Sequence, residues 1–108
     1  MIAMIAERKA EIAALRQKRG IVRLELFGSA ATGKFNPETS DLDFIVDLGR
    51  YDAQIARRFF EFATELERLF GRPVDLLTNG PIKNPYLKLS VDRSRELIYA
   101  AQNSEAAA

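Results

Sequence analysis

The chain has no cysteine and no histidine. Without cysteine there is no disulfide and no thiolate metal site. Without histidine, zinc-type sites, serine–histidine triads and histidine general bases are excluded as well. Catalysis, if there is any, must use carboxylates, hydroxyls, cations, backbone amides or a hard cation held by oxygen. Charge of one sign is not in excess either: 16 basic and 15 acidic residues leave a net charge of +1. That balance does not announce a nucleic-acid coat, so direct nucleic-acid binding is not indicated. No apolar run approaches the roughly 20 residues of a membrane span. The opening MIAMIAERKAEIAALRQKRG turns charged at Glu7 and lacks a signal-peptide layout. These features lead to the expectation of a cytoplasmic protein with no membrane association. A length of 108 residues, 47% of them hydrophobic, can supply one core without staples. We expect a single domain over 1–101 and a flexible tail at 102–108.

Local patterns place the elements. Residues 2–19 read as a helix with Ile2, Ile5, Ile12 and Leu15 on one stripe, interrupted by Lys9 and ended by Gly20. IVRLELF (21–27) alternates, as does LDFIVDL (42–48), where Leu42, Phe44, Val46 and Leu48 share a face opposite Asp43, Ile45 and Asp47. Residues 51–71 form a second helix, with Ile55, Phe59, Phe62, Leu66 and Leu69 buried and Asp52 available as a cap. RPVDLLT (72–78) is a third strand, nearly all apolar apart from Asp75. Asn84-Pro85 is an N-cap followed by proline at the first helical position, so 85–92 is a short helix. Residues 95–100 are read as an edge strand. The order α-β-β-α-β-α-β predicts an α/β (α+β) fold: a small mixed β-sheet with helices packed mainly on one face.

The chemistry concentrates in LFGSAATGKFNPETSDLDFIVDL (26–48). Asp41 and Asp43 are two apart at the mouth of a strand, so their side chains leave the same face with α-carbons roughly 6–7 Å apart. Like charges that close repel unless a cation sits between them. Magnesium is a natural partner, since it favours one or two carboxylates plus substrate phosphates. Asp75 is an acid in an apolar strand, where unpaired burial is costly. If its strand lies beside 42–48, it completes a three-carboxylate cluster able to hold two metal ions. Gly28 lets the backbone turn and approach a ligand closely. Ser29 offers a hydroxyl and an amide at the start of a single helical turn, and Lys34 adds positive charge for a triphosphate. Each residue also has a plainer reading. Asp41 suits a turn, Asp43 an edge-strand charge, Gly28-Ser29 an ordinary turn and Lys34 a solvated cation. Asp75 could simply pair with Arg23 or Arg72. The set is more specific than its parts.

This stretch resembles the minimal nucleotidyltransferases (MNT) of the DNA polymerase beta-like superfamily, whose signature is Gly-Ser, a spacer, then Asp-x-Asp on a strand. The resemblance extends over nearly the whole chain, through GRPVDLLT with its third acid to NPYLKLSVDRSRELIYA. It implies the polymerase beta-like palm fold. It also implies Gly28 and Ser29 as nucleotide-phosphate binders, Asp41 and Asp43 as metal ligands, and Asp75 as the third carboxylate, which helps activate the attacking hydroxyl. The implied reaction transfers a nucleoside monophosphate, AMP from ATP, to a hydroxyl with Mg2+ as cofactor, two ions being expected. Two departures stand out: the spacer 30–40 is one residue longer than usual, and Thr32 lies where many relatives carry arginine. Small stand-alone members resemble antitoxins that act on a HEPN-domain toxin, adenylylating it on tyrosine. A chain of this length lacks the extra domain with which larger relatives hold their acceptors, and a partner subunit fits that role. Phe60, off the buried stripe, hints at such an interface, in a homo- or hetero-oligomer. Tyr51, Tyr86 and Tyr99 are read as packing residues. The rival reading is a non-catalytic antitoxin that neutralises its partner by complex formation.

Overall fold

The computed structural model describes residues 2–100 except 33, 37, 39 and 81; the tail expected at 102–108 lies outside the described residues. The elements follow in the order α1 (Ala3–Ala6), α2 (Lys9–Arg19), β1 (Arg23–Phe27), α3 (Ser29–Thr32), β2 (Leu42–Asp47), α4 (Ile55–Phe70), β3 (Val74–Thr78), α5 (Pro85–Ser94) and β4 (Glu96–Ala100). The four strands form one mixed sheet in the order β3-β2-β1-β4. β1 is antiparallel to both β2 and β4, and β2 runs parallel to β3. The parallel pair needs a crossover, and α4 supplies it. β4 occupies an edge, the place expected for residues 95–100.

Alternation sorts the side chains. Leu24 and Leu26 of β1 and Leu42, Phe44 and Val46 of β2 point to one face, where they join Ile5, Ile12, Phe62 and Leu66 in the main core. The expected stripe of α4 is thus the one that packs, with Phe62 and Leu66 fully buried. Phe60 falls off that stripe and is 66% exposed. On the opposite face lies a smaller cluster of Phe27, Ile45 and Val91, flanked by Leu77 and Ile82. Val91 belongs to α5, so this one helix covers part of the second face, while α1, α2 and α4 cover the first. Asn84 caps α5 as expected, its Oδ1 accepting from the amides of Tyr86 (2.9 Å) and Leu87 (3.2 Å).

Three expectations are corrected. The helix predicted over 2–19 is broken at Glu7-Arg8. Glu7, Arg8 and Lys9 offer nothing apolar to the core between Ile5 and Ile12, and the chain turns so that both isoleucines bury completely. Asp52 does not cap α4. It makes a turn just before it, its Oδ1 accepting from the Gln54 amide at 3.0 Å, and the helix begins at Ile55. Tyr51 and Tyr86 are not packing residues, being 85% and 83% exposed. Tyr99 does pack, beneath the Arg16 guanidinium, 3.8 Å from its ring centroid.

One buried charge secures the second face. Glu25 of β1 is 4% exposed. Arg95, at the end of α5, donates to it through Nε (2.8 Å) and Nη2 (2.7 Å), and Arg23 donates through Nε at 3.2 Å. The Arg95 hydrogen bonds, aided by Arg23, hold the Glu25 carboxyl below its ordinary value of 4.5 despite burial. The stability this contributes is present above that value and fades as pH falls through the depressed one. Glu25→Gln is therefore expected to cost about 2 kcal/mol at pH 7, since charged hydrogen bonds are lost but the arginines stay hydrated. The deficit should shrink near pH 3. Urea unfolding of both proteins at the two pH values checks this.

Candidate active site

The site grows from the parity of β2 and from the parallel register of its neighbour. Asp43 lies opposite Asp75 in that register, and Phe27, the last residue of β1, lies opposite Asp43 on the other side. Neighbouring strands are about 4.8 Å apart, so side chains on the same face of a registered pair meet. Asp43 and Asp75 emerge on the face that carries Ile45, Leu77 and α5, at the N-terminal ends of their strands. Asp41 precedes β2 and is exposed at the rim. The plainer reading of Asp75 does not hold. Arg23 is engaged by Glu25, while Arg72 donates to the Ser40 carbonyl (3.3 Å) and lies 5.0 Å from the Phe35 ring centroid.

The acids strain against one another. The Asp43 carboxyl is pushed up to about 7 from an ordinary 3.8, first by burial, then by hydrogen bonding to Asp75 and by the negative charge of Asp75 and Asp41. Gly28 makes this crowding possible. Its φ of +72° lies in the left-handed region, and a Cβ there would collide with the Asp43 carboxylate. The bend is held by α5: the Gly28 amide donates to Ser94 Oγ at 2.9 Å, and that hydroxyl donates to the Ser90 carbonyl at 2.6 Å. The sequence carried no signal for this tie, because Ser94 is an unremarkable helix-end serine until the fold brings it to Gly28.

Two open clefts meet along this bend. One, of about 390 Å3, holds Gly28, Asp43, Asp75, Leu76, Leu87 and Ser90 among its lining residues. The other, of about 440 Å3, lies between α3 and α5 and includes Gly28, Ser29, Lys34 and Arg93. Asp43 and Asp75 are therefore brought together with Gly28, while Ser29 and Lys34 sit on the adjoining side of the same glycine. Asp41 lines neither cleft. Among the described residues no three acids converge closely enough to enclose an ion by themselves, so the expected three-carboxylate cage is not formed as the side chains stand. The donor set nonetheless fits a magnesium-type ion, which takes few carboxylates and completes its shell with phosphate oxygens and water. A cation there would also relieve the repulsion that raises the Asp43 carboxyl. A third cleft, of about 240 Å3, lies at the far end of β2 among Leu48, Ile55, Phe59 and Phe60. Its one described acid, Asp47, already accepts the Gly49 amide at 2.8 Å, so it offers neither paired acids nor cations for a metal-bound polyanion.

The chain is similar to known proteins in sequence and in fold. The family model described as Nucleotidyltransferase domain matches residues 10–98. A protein of Methanocaldococcus jannaschii named Putative protein adenylyltransferase MJ0128 is 38% identical over 85 residues, covering 79% of this chain and 82% of its own. A solved structure described as “putative minimal nucleotidyltransferase” is 29% identical and superposes with a TM-score of 0.65 over 85% of this chain and 90% of that one. A chain of the complex between tri-AMPylated Shewanella oneidensis HEPN toxin and MNT antitoxin shares the fold at 18% identity, with a TM-score of 0.61 over 94% of this chain and 77% of that one.

Proposed function

This chain belongs to the nucleotidyltransferase domain family, and we propose that within it the protein moves AMP from ATP to the tyrosine hydroxyl of a HEPN-type partner and so acts as an antitoxin. The observation that carries this reading is the in-register pairing of Asp43 with Asp75 beside the Gly28 bend. Adenylyl transfer is favoured by the name of the curated relative, and the HEPN partner by the complex that shares the fold.

In this mechanism Asp41 and Asp43 would be the ligands of a Mg2+ ion, and Asp75 would contribute to a second. Bound there, the metal would supply charge neutralisation at the triphosphate and lower the pKa of the acceptor hydroxyl. The protein's own contribution is position and charge. Gly28 carries the chain against the phosphates without a side chain in the way, and Ser29 offers them its amide and hydroxyl. The acceptor oxygen attacks the α-phosphorus as a new P–O bond forms. The bond to the α–β bridging oxygen breaks, and pyrophosphate leaves with that electron pair. Asp75 takes the hydroxyl proton. Leu77 and Leu87 line the cleft beside Asp75 and give it an apolar wall, suited to the ring of a phenolic acceptor rather than to a sugar.

Incubation with magnesium, ATP labelled at the α-phosphate and a HEPN-type partner tests the proposal. Label on a partner tyrosine, lost when that tyrosine is replaced by phenylalanine, is the expected result. A tight complex without label would make the protein a binding module instead.

A further inference from the structure

The cleft between α3 and α5 has a charge opposite to that of its neighbour. Its described lining contains two cations, Lys34 and Arg93, the hydroxyls of Ser29, Thr32, Ser90 and Ser94, and no acid. Among the described residues neither cation forms an ion pair, whereas Lys88 on the same helix and Arg95 just after it are both paired, with Asp92 and with Glu25. The two clefts share Gly28 and Ser90. A molecule crossing that boundary passes from two carboxylates to two cations. A polyphosphate with a bound dication has the matching polarity: the phosphate nearest the acids meets them through the dication, and the phosphates beyond it meet Lys34 and Arg93 directly. A peptide carboxylate or a single phosphate would satisfy one cleft and leave the other unused.

We propose that Arg93 is a substrate-binding residue that, with Lys34, grips the distal phosphates of the nucleotide, which become the pyrophosphate leaving group. This rests on the nucleotidyl-transfer reading of the acid cleft. Arginine suits the role because its planar fork can donate two hydrogen bonds to one phosphate. The Ser94 hydroxyl that ties α5 to the Gly28 amide is next to Arg93 in the chain. That tie anchors the end of α5 beside the bend, next to the residue that carries the guanidinium.

The test uses Arg93→Gln, Arg93→Lys and, as a control on the same helix, Lys88→Gln. Calorimetry with magnesium pyrophosphate and steady-state transfer from ATP are measured on each protein. Arg93 is exposed, so these variants should fold, and a melting curve verifies it. We expect Arg93→Gln to weaken pyrophosphate binding about 10-fold and to raise KM for ATP by a similar factor, with kcat changed less. Arg93→Lys should recover part of the loss, and Lys88→Gln should behave as wild type. Unchanged pyrophosphate binding in Arg93→Gln overturns the assignment while leaving the transfer reading intact. Wild-type binding that Arg93→Gln weakens, in a protein that transfers no label from ATP, supports the assignment and overturns the transfer reading.

Discussion

Asp43→Asn is expected to abolish adenylyl transfer, by at least about 1,000-fold, and at the same time to make the metal-free protein more stable. Loss of transfer follows from removing the one carboxylate that faces both Asp75 and the Gly28 bend; groups that stabilise developing charge in a preorganised site are worth this much. The gain in stability follows from the same crowding. In the folded protein the Asp43 carboxyl is pushed up to about 7 from 3.8. A raised carboxyl contributes its full stability at pH values below the ordinary value, and the folded state loses that contribution as pH rises toward and through the raised one. Wild type in a chelator should therefore weaken between about pH 4 and pH 7, and the amide variant should not share that loss. Water reaches the half-buried pair and screens it, so the expected advantage of Asp43→Asn at pH 8 is about 1–2 kcal/mol, roughly 5–10 °C in melting temperature. Near pH 4 the two proteins should converge. Magnesium with a non-hydrolysable ATP analogue should reverse the order at pH 8 by stabilising only the wild type. A variant that is less stable than wild type at pH 8 without metal would mean that the acids do not repel.

Gly28→Ala is expected to damage both fold and activity for a different reason. The left-handed backbone alone costs an L-residue about 1–2 kcal/mol. The added methyl also runs into the Asp43 carboxylate and lies 3.3 Å from its Cγ. Asp43 must move, and misplacement of a reacting group by about 1 Å can cost about 100-fold in rate. We expect transfer to fall by at least that factor and stability to fall by about 2–3 kcal/mol. A double-mutant cycle separates the two causes. In an Asp43→Ala background the collision disappears and only the backbone term remains, so the cost of Gly28→Ala should drop to about 1 kcal/mol. An equal cost in both backgrounds would show that the methyl and the carboxylate do not meet.

Much of this arrangement was readable in the chain, and the reasons are physical. Strands β1 and β2 alternate cleanly because each has one face in the main core, and α4 announces itself through a long, strong stripe. The start of α5 was legible because Asn84-Pro85 is a local device that needs no partner from elsewhere. The candidate acids stood out for the same local reason: Asp41 and Asp43 are neighbours in the chain, and Asp75 is conspicuous in an apolar strand. Whether Asp75 lies beside Asp43 was not legible, since it depends on a parallel register set by packing across α4. The tie from Gly28 to Ser94 spans 66 residues and the Glu25–Arg95 pair spans 70, and neither leaves a mark in local pattern. Arg93 drew no notice for the same reason, being one of two cations on α5 until the fold places it at a cleft that also holds Lys34. Tyr51 and Tyr86 misled because aromatic residues are buried on average, while single exposed ones are common.

Binding of manganese, followed by its paramagnetic resonance signal in the presence of a non-hydrolysable ATP analogue, addresses the pairing of Asp43 with Asp75 without requiring any acceptor. Wild type should take up the ion together with the nucleotide, whereas Asp43→Asn and Asp75→Asn should each bind it at least about 10-fold more weakly. Equal uptake by wild type and Asp43→Asn, or none by wild type, would contradict a nucleotide-linked dication site at these acids.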